Sequence, residues 1–243
     1  MSRDPIETWY PESRFGGFTD YDGTLLFYSR IRSLLAADSV VLDAGCGRGV
    51  HGNDSVAYRR DLRNLRGVAR RVIGIDVEPS GSENPFLDEF HEIAADGKFP
   101  VADGTCDLVY SDWVLEHVRN PELFFSECAR VLKKDGVLAL RTANALGYVA
   151  LLARLIPRRF HVRILSRAQN VRSAQDMFPP VYACNSRRAL RAALARAGFD
   201  GVVYTRDAEP RYFLFSRLLY AFAVFHQRFS PPMFRLSLVA FAR

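Results

Sequence analysis

Short apolar runs alternate along the chain with stretches in which apolar residues recur every three or four positions. The apolar runs predict buried strands, and the intervening stretches predict helices. Strands that alternate with helices in this way are typical of an α/β fold with a mainly parallel sheet. The predicted strands cover residues 40–42, 72–77, 91–95, 106–111, 137–142, 202–205 and 235–242.

Helical periodicity and capping residues predict the helices between these strands. They cover residues 25–37, 54–65 (capped by Asn53 or Asp54), 86–90, 121–132 (capped by Asn120), 186–197 (capped by Asn185) and 211–229. The last of these is almost wholly apolar and aromatic, with a few arginines, and Pro231 stops it. We expect it to be buried against the sheet or in a dimer. The alternative is a helix that lies on a membrane surface.

The two parts of the chain differ in charge. Residues 1–140 carry 16 Lys and Arg against 23 Asp and Glu, whereas residues 141–243 carry 17 against 4. A basic second half indicates that this part faces an anionic partner, which would be a phosphorylated substrate, a membrane surface or a nucleic acid. A solvated basic face is the alternative reading.

The stretch after the first strand carries the most specific chemistry. Asp43 ends this strand, and Gly45, Gly47 and Gly49 follow at alternate positions. Glycines at this spacing allow a tight turn and let a ligand approach main-chain N–H groups. Asp76 ends the second strand, where an acid can accept hydrogen bonds from the two hydroxyls of a ribose. Together they predict a cofactor that contains a nucleoside.

Asp43 indicates which cofactor this is. Gly47, Gly49 and Gly52 formally match a dinucleotide fingerprint, but a buried carboxylate beside the loop would repel a pyrophosphate. The same carboxylate suits a cofactor that bears an ammonium or sulfonium group.

These motifs resemble those of class I S-adenosylmethionine-dependent methyltransferases of the type 11 group. Asp43 and the glycines match the first motif of that family, and Asp76 matches its ribose-binding acid. A turn at residues 95–97 matches the adenine-binding turn, and residues 99–118 match the Pro-turn, Asp-Leu-Val and Leu-Glu-His-Val pattern. The resemblance implies S-adenosylmethionine as the cofactor and S-adenosylhomocysteine as its product. The implied cofactor-binding residues are Asp43, Gly45, Cys46, Gly47, Asp76, Val77, Asp96, Gly97 and Ser111.

The resemblance also bears on catalysis. His117 is a candidate general base, because an imidazole titrates near neutral pH, although a structural or substrate-positioning role competes with this. A group of quinone-pathway O-methyltransferases binds a metal with two glutamates and a histidine in this segment. Trp113 stands here in place of the first glutamate, so we expect no metal site.

The family implies a Rossmann-like, seven-stranded mixed sheet with helices on both faces. Its last strand is expected to be antiparallel and to lie between the fifth and sixth. We expect one domain over residues 1–243, which includes an amino-terminal cap (1–37), a basic lid-like insertion (143–184) and an apolar helix segment (207–232).

The predicted activity is methyl transfer to a small-molecule acceptor or to a lipid- or glycan-linked one, with an anionic group as one option. RNA methylation and a catalytically silent cofactor-binding or partner subunit are the alternatives. The expected partners are the acceptor and either an anionic membrane surface or a second copy that docks through residues 210–229. A nucleic-acid partner is not expected, because the fourth strand does not run into an Asn-Pro-Pro-Tyr signature. Scattered cysteines and an amino terminus without an apolar leader predict a cytoplasmic protein, either free or peripheral to a membrane.

Overall fold

The computed structural model describes residues 4–155 and 179–243, without the side chains of residues 152–155. Within these residues, strands form a seven-stranded sheet in the order β3-β2-β1-β4-β5-β7-β6. The strands are β1 (Val40–Ala44), β2 (Arg71–Asp76), β3 (Glu89–Glu92), β4 (Cys106–Asp112), β5 (Leu132–Ala143), β6 (Gly201–Arg206) and β7 (Ser237–Ala242). β1 to β5 pair in parallel, and β7 is antiparallel to both β5 and β6. The predicted fold class is confirmed.

Helices cover both faces of this sheet. They are α1 (Pro5–Trp9), α2 (Gly23–Ser33), α3 (Ala57–Arg63), α4 (Pro121–Val131), α5 (Tyr148–Leu155), α6 (Arg187–Arg196) and α7 (Arg217–Phe229). Successive residues of a strand point to opposite faces. Leu42 of β1 therefore packs in the core that contains residues of α4 and α6, whereas Val41 packs in the core that contains residues of α2 and α3.

Several helix boundaries differ from the sequence prediction. Residues 86–90 do not form a helix, because the chain enters β3 at Glu89 and pairs with β2. α3 begins at Ala57 with Val56 as its N-cap, so neither Asn53 nor Asp54 caps it. Asp54 instead binds Arg59 through both carboxylate oxygens.

Two corrections fall in the second half of the chain. Ser186, not Asn185, caps α6, because its hydroxyl accepts the N–H of Ala189. Asn185 is buried and donates to the hydroxyl of Thr142 at 2.7 Å and to the carbonyl of Ala143. The apolar helix is also shorter than predicted, since a 3₁₀ turn (Arg211–Phe213) precedes α7. The predicted cap of α4, Asn120, is confirmed.

The predicted lid, residues 143–184, lies largely outside the described residues, and α5 is the helix described within it. Among the described residues, each helix is too short or too polar to cross a bilayer.

Candidate functional site

The glycine loop begins where β1 ends. Gly45, Gly47 and Gly49 have φ angles of 88°, 51° and 71°, a region that side chains with a Cβ rarely adopt. A Cβ at Gly45 would clash with the side chain of Val114. A Cβ at Gly47 would meet nothing within 4 Å. The loop therefore packs tightly on one side and leaves its backbone open on the other.

Asp76 faces this loop from the end of β2. Its Oδ2 accepts the N–H of Gly47 at 2.9 Å, and its Oδ1 accepts the N–H of Glu78 at 3.0 Å. Each carboxylate oxygen keeps further acceptor capacity, so the group can still bind ribose hydroxyls. Val77 follows and is exposed, and Cys46 is half-buried with its carbonyl bound by Asn84. The structure thus brings Gly47 and Asp76 together as the spacing predicts.

The turn at Asp96 and Gly97 follows β3. Between β3 and this turn, the N–H of Ile93 donates to the carbonyl of Asp76 at 2.8 Å. Asp96 is exposed, and its Oδ1 accepts the N–H of Lys98. Gly97 has a φ angle of 75°, which the turn requires. The predicted adenine contact is therefore tied through the backbone to the predicted ribose contact.

Ser111 lies beneath the loop. It is buried, and its hydroxyl donates to the carbonyl of Ala44 at 2.8 Å. This bond joins the carboxyl ends of β1 and β4, so Ser111 positions the start of the glycine loop. Its direct contact with a cofactor remains a prediction.

Asp43 is buried opposite Tyr110 in the pairing of β1 with β4. The Tyr110 hydroxyl donates to Oδ2 of Asp43 at 2.7 Å. Burial raises the pKa of Asp43 to about 7, and the hydrogen bond from Tyr110 offsets this only in part. A nearby cation would stabilise the ionised form. That Asp43 balances the positive charge of a cofactor in the adjoining loop remains a prediction.

A second buried acid, Asp112, lies near Asp43. Asp112 ends β4 and receives two hydrogen bonds from the Arg141 guanidinium, at 2.6 and 2.7 Å. The Tyr28 hydroxyl adds a third at 3.1 Å. Burial alone would raise the pKa of Asp112, but the Arg141 charge outweighs it and holds the pKa below its ordinary value. The sequence signal for this pair is Arg141 directly after the apolar run 137–140 of the fifth strand.

His117 lies in the loop after β4 and is half-buried. Its Nδ1 is 3.4 Å from the carbonyl oxygen of Pro179. The neighbouring Glu116 is buried, accepts the Thr142 hydroxyl at 2.7 Å and accepts the N–H of Val181 through its carbonyl. This loop therefore joins β5 to the last residues of the predicted lid. That position suits a substrate-facing residue, and the role of His117 as a base remains a prediction.

Among the described residues, one cleft opens beside the glycine loop and another near β5 and β6. The larger, about 480 Å³, is lined by Arg48, Gly49, Val50, Gly52, Asn53, Glu83, Pro85 and Phe86. Neither Asp76 nor Asp96 lines it, so it is not the predicted ribose site. The smaller, about 230 Å³, lies near the carboxyl ends of β5 and β6 and is lined by Asn144, Leu146, Ser186, Arg187, Arg188, Thr205, Pro232 and Met233. In the described part of the chain, no three His, Cys, Asp or Glu side chains group as metal ligands.

Relatives of known sequence share part of this chain. A probable S-adenosylmethionine-dependent methyltransferase of Mycolicibacterium smegmatis is 35% identical over 113 residues, which cover 44% of this chain and 39% of the relative. A ubiquinone biosynthesis O-methyltransferase of Cupriavidus pinatubonensis is 30% identical over 137 residues, which cover 56% of this chain and 53% of the relative. The chain thus spans about two-fifths to half of the length of these relatives.

Solved structures share the fold. A methyltransferase from Archaeoglobus fulgidus superposes with a TM-score of 0.54 and 17% identity, over 95% of this chain and 96% of that one. A geranyl diphosphate C-methyltransferase from Streptomyces coelicolor also gives a TM-score of 0.54, with 16% identity, over 90% of this chain and 74% of that one. The sequence model of the family described as "Methyltransferase domain" matches residues 21–204. The chain belongs to this methyltransferase family, as its motifs predict.

Proposed function

We propose that this protein transfers a methyl group from S-adenosylmethionine to a small-molecule acceptor or to a lipid- or glycan-linked one. The observation that carries the proposal is the glycine loop held against Asp76, at 2.9 Å, where the carboxyl ends of β1 and β2 meet. The family membership and the buried Asp43 support the same cofactor.

Different residues at this edge of the sheet would bind different parts of the cofactor. Asp76 would hold the ribose, the turn at Asp96 and Gly97 would hold the adenine, and Asp43 would compensate positive charge near the loop. S-adenosylmethionine supplies an activated methyl group on a sulfonium. The main task of this chain is therefore to align donor and acceptor, and proximity of this kind can supply roughly 7–11 kcal/mol of a barrier.

One observation supports an acceptor that carries an anionic group. Arg187 and Arg188 both line the smaller cleft, together with the polar side chains of Asn144 and Thr205. Guanidinium groups bind phosphate and carboxylate in a fixed, two-pronged geometry. Relatives named ubiquinone biosynthesis O-methyltransferases further favour a small molecule over a macromolecule.

RNA methylation is the second candidate function, and the basic second half of the chain favours it. Residues 141–243 carry 17 Lys and Arg against 4 Asp and Glu. A nucleic acid would bind such a surface mainly through its phosphates, and binding would therefore weaken steeply with salt. A silent cofactor-binding subunit is the third candidate.

We further propose that His117 acts as the general base when the acceptor atom is an oxygen or a nitrogen. Replacement of His117 by alanine should lower the methyl-transfer rate on the order of 100-fold or more, because a positioned base contributes that much. High pH should restore part of the rate, since hydroxide then removes the acceptor proton. A rate loss that is equal at all pH values would instead indicate a structural role.

We also propose that the enzyme works in the cytoplasm, with access to the periphery of a membrane. Cys106, Cys128 and Cys184 are buried as free thiols, which suits a reducing compartment.

The test is to incubate the protein with S-adenosylmethionine that carries a radioactive methyl group and to offer it separate cell fractions. The fractions are lipids, polar small molecules and RNA, and Asp76→Ala serves as the control that should bind the donor much more weakly. The proposal expects label in the lipid or small-molecule fraction. Label confined to RNA would favour the second candidate, and donor binding without any transfer would favour the silent subunit.

A further inference from the structure

α7 presents large apolar side chains to water as well as to the core. Helices on the surface of a water-soluble domain turn their apolar stripe to the core and their polar stripe to water. α7 buries Tyr220 and Val224 in this way, but four large apolar side chains on its opposite face are exposed. Leu218 is 81% exposed, Phe222 69%, Phe225 60% and Phe229 69%.

The inner face of α7 buries Tyr220, Ala223 and Val224 and is held in place by polar contacts as well. Tyr220 and Gln227 are buried, and the Tyr10 hydroxyl donates to Oε1 of Gln227. Gln227 in turn donates to the carbonyl of Ala208 at 3.0 Å. His226 contacts the ring of Tyr148 edge-on, with the ring centroids 4.9 Å apart. These contacts fix the rotation of the helix, so its phenylalanines cannot turn inward without breaking them.

The exposed apolar positions form one continuous stripe. At about 100° per residue, positions 218, 222, 225 and 229 fall within a narrow sector of the helix, and Leu219 widens it. The rings of Phe225 and Phe229 are 4.6 Å apart. Phe215 and Met233, 58% and 53% exposed, come just before and just after the helix. We call the set Phe215, Leu218, Leu219, Phe222, Phe225, Phe229 and Met233 the apolar stripe.

Positive charge borders this stripe. Arg217 and Arg228 are exposed and fall on the same edge of it, and the guanidinium of Arg228 lies 5.8 Å from the ring centre of Trp9. Residues 210–243 contain five arginines and no aspartate or glutamate. An exposed apolar stripe with arginines at its edge is the pattern of a helix that lies in the plane of an anionic membrane surface.

We propose that α7 docks this protein onto an anionic lipid bilayer through the apolar stripe, with Arg217 and Arg228 at the level of the phosphate groups. The helix has 13 residues, so it lies on the bilayer and does not cross it. A second copy of the chain fits this face less well. A two-fold interface would bring the arginine-bordered faces together without an acidic residue from this segment to balance them.

The test is sedimentation of the full chain with lipid vesicles. One set contains phosphatidylcholine with phosphatidylglycerol, and the other contains phosphatidylcholine alone. The wild-type protein should sediment with the anionic vesicles at low salt and be released by high salt. The double variant Phe222→Ser/Phe225→Ser should bind those vesicles at least about tenfold more weakly, because it removes two inserted rings.

Matched variants control for general effects. Tyr58→Ser removes an aromatic ring of similar exposure, 58%, from α3, and it should leave vesicle binding unchanged. Arg217→Gln/Arg228→Gln should weaken binding to anionic vesicles. Arg191→Gln/Arg196→Gln removes the same charge from exposed positions of α6 and should weaken it much less.

Three results would overturn the proposal. The wild-type protein could stay in solution at low salt, or Phe222→Ser/Phe225→Ser could bind as tightly as the wild type. Light scattering could instead show a dimer that the same double variant dissociates, without vesicle binding, and the stripe would then be a contact between copies. None of these readouts depends on methyl transfer, so failure here would leave the proposed activity standing.

Discussion

α4 and α7 are helices of similar length that treat their phenylalanines in opposite ways. α4 buries Phe124 and Phe125 in the core and exposes Glu122. α7 exposes Phe222 and Phe225 and buries Gln227. Burial of an aromatic ring stabilises the fold, whereas an exposed ring contributes little until a partner covers it. The phenylalanines of α4 therefore stabilise the fold, whereas those of α7 form an exposed apolar surface.

Charged groups are buried near the glycine loop and exposed around α7. Near the glycine loop, charge is internal and paired, as in the Asp112–Arg141 ion pair with 6% and 5% of its side chains exposed. Around α7, the arginines lie outside and border apolar side chains. Internal pairing organises a site for a small charged ligand, whereas external arginines favour an extended anionic surface.

The contrast between the two helices is tested by truncating one phenylalanine ring on each. Phe125→Ala should lower the free energy of unfolding by about 3–5 kcal/mol, because it opens a cavity in the core. Phe222→Ala should change it by less than about 0.5 kcal/mol, since the ring faces water. Urea denaturation of both variants measures the difference. Equal losses would show that α7 packs its stripe inward in solution.

Asp76→Ala tests whether Asp76 binds the ribose of the cofactor. The variant should bind S-adenosylhomocysteine more weakly by roughly 2–3 kcal/mol, on the order of 100-fold, because the ribose loses a charged acceptor. Calorimetric titration measures the affinity. Glu78→Ala is the matched control, since Glu78 is an exposed acid two residues away. Unchanged affinity in Asp76→Ala would remove Asp76 from the site.

Asp43→Asn tests the role of the buried Asp43 carboxyl group, because the stability of the wild-type protein should depend on pH through this group. The pKa of Asp43 is about 7 in the folded chain and near 3.9 when unfolded. The folded chain therefore keeps a proton that the unfolded chain releases. Wild-type stability should fall as pH rises from about 4 to about 7.

The variant lacks this loss. At pH 8 it should be more stable than the wild type by on the order of 2–4 kcal/mol, and the gain should shrink toward pH 5. It should also bind S-adenosylmethionine more weakly, because the negative charge is gone. Urea denaturation at the two pH values and calorimetry measure the two effects. A stability gain that does not vary with pH would contradict the assignment.

Local patterns predicted the parts of this molecule that depend on neighbouring residues. The spacing of Gly45 and Gly47 predicted the turn, and the apolar run before Asp76 predicted that this acid ends a strand of the sheet. The Asp43–Tyr110 and Asp112–Arg141 pairs were not predicted, because they join residues 67 and 29 positions apart. Such pairs depend on which strands lie side by side.

The same limit explains α7. Its sequence predicts an apolar helix, and we expected the helix to be buried. Which side faces the core depends on contacts with Tyr10 and Tyr148, which lie far away in the chain. The cap of α6 shows the limit at short range. Asn185 and Ser186 are both good caps, and the choice follows from the burial of Asn185 against β5.

Calorimetric titration of the wild-type protein tests the central claim most directly. S-adenosylmethionine and S-adenosylhomocysteine are the ligands, and NAD is the control. We predict that both methyl-cycle ligands bind and that NAD does not, because Asp43 tolerates a cation and repels a pyrophosphate. Binding of NAD alone, or of none of the three, would contradict it.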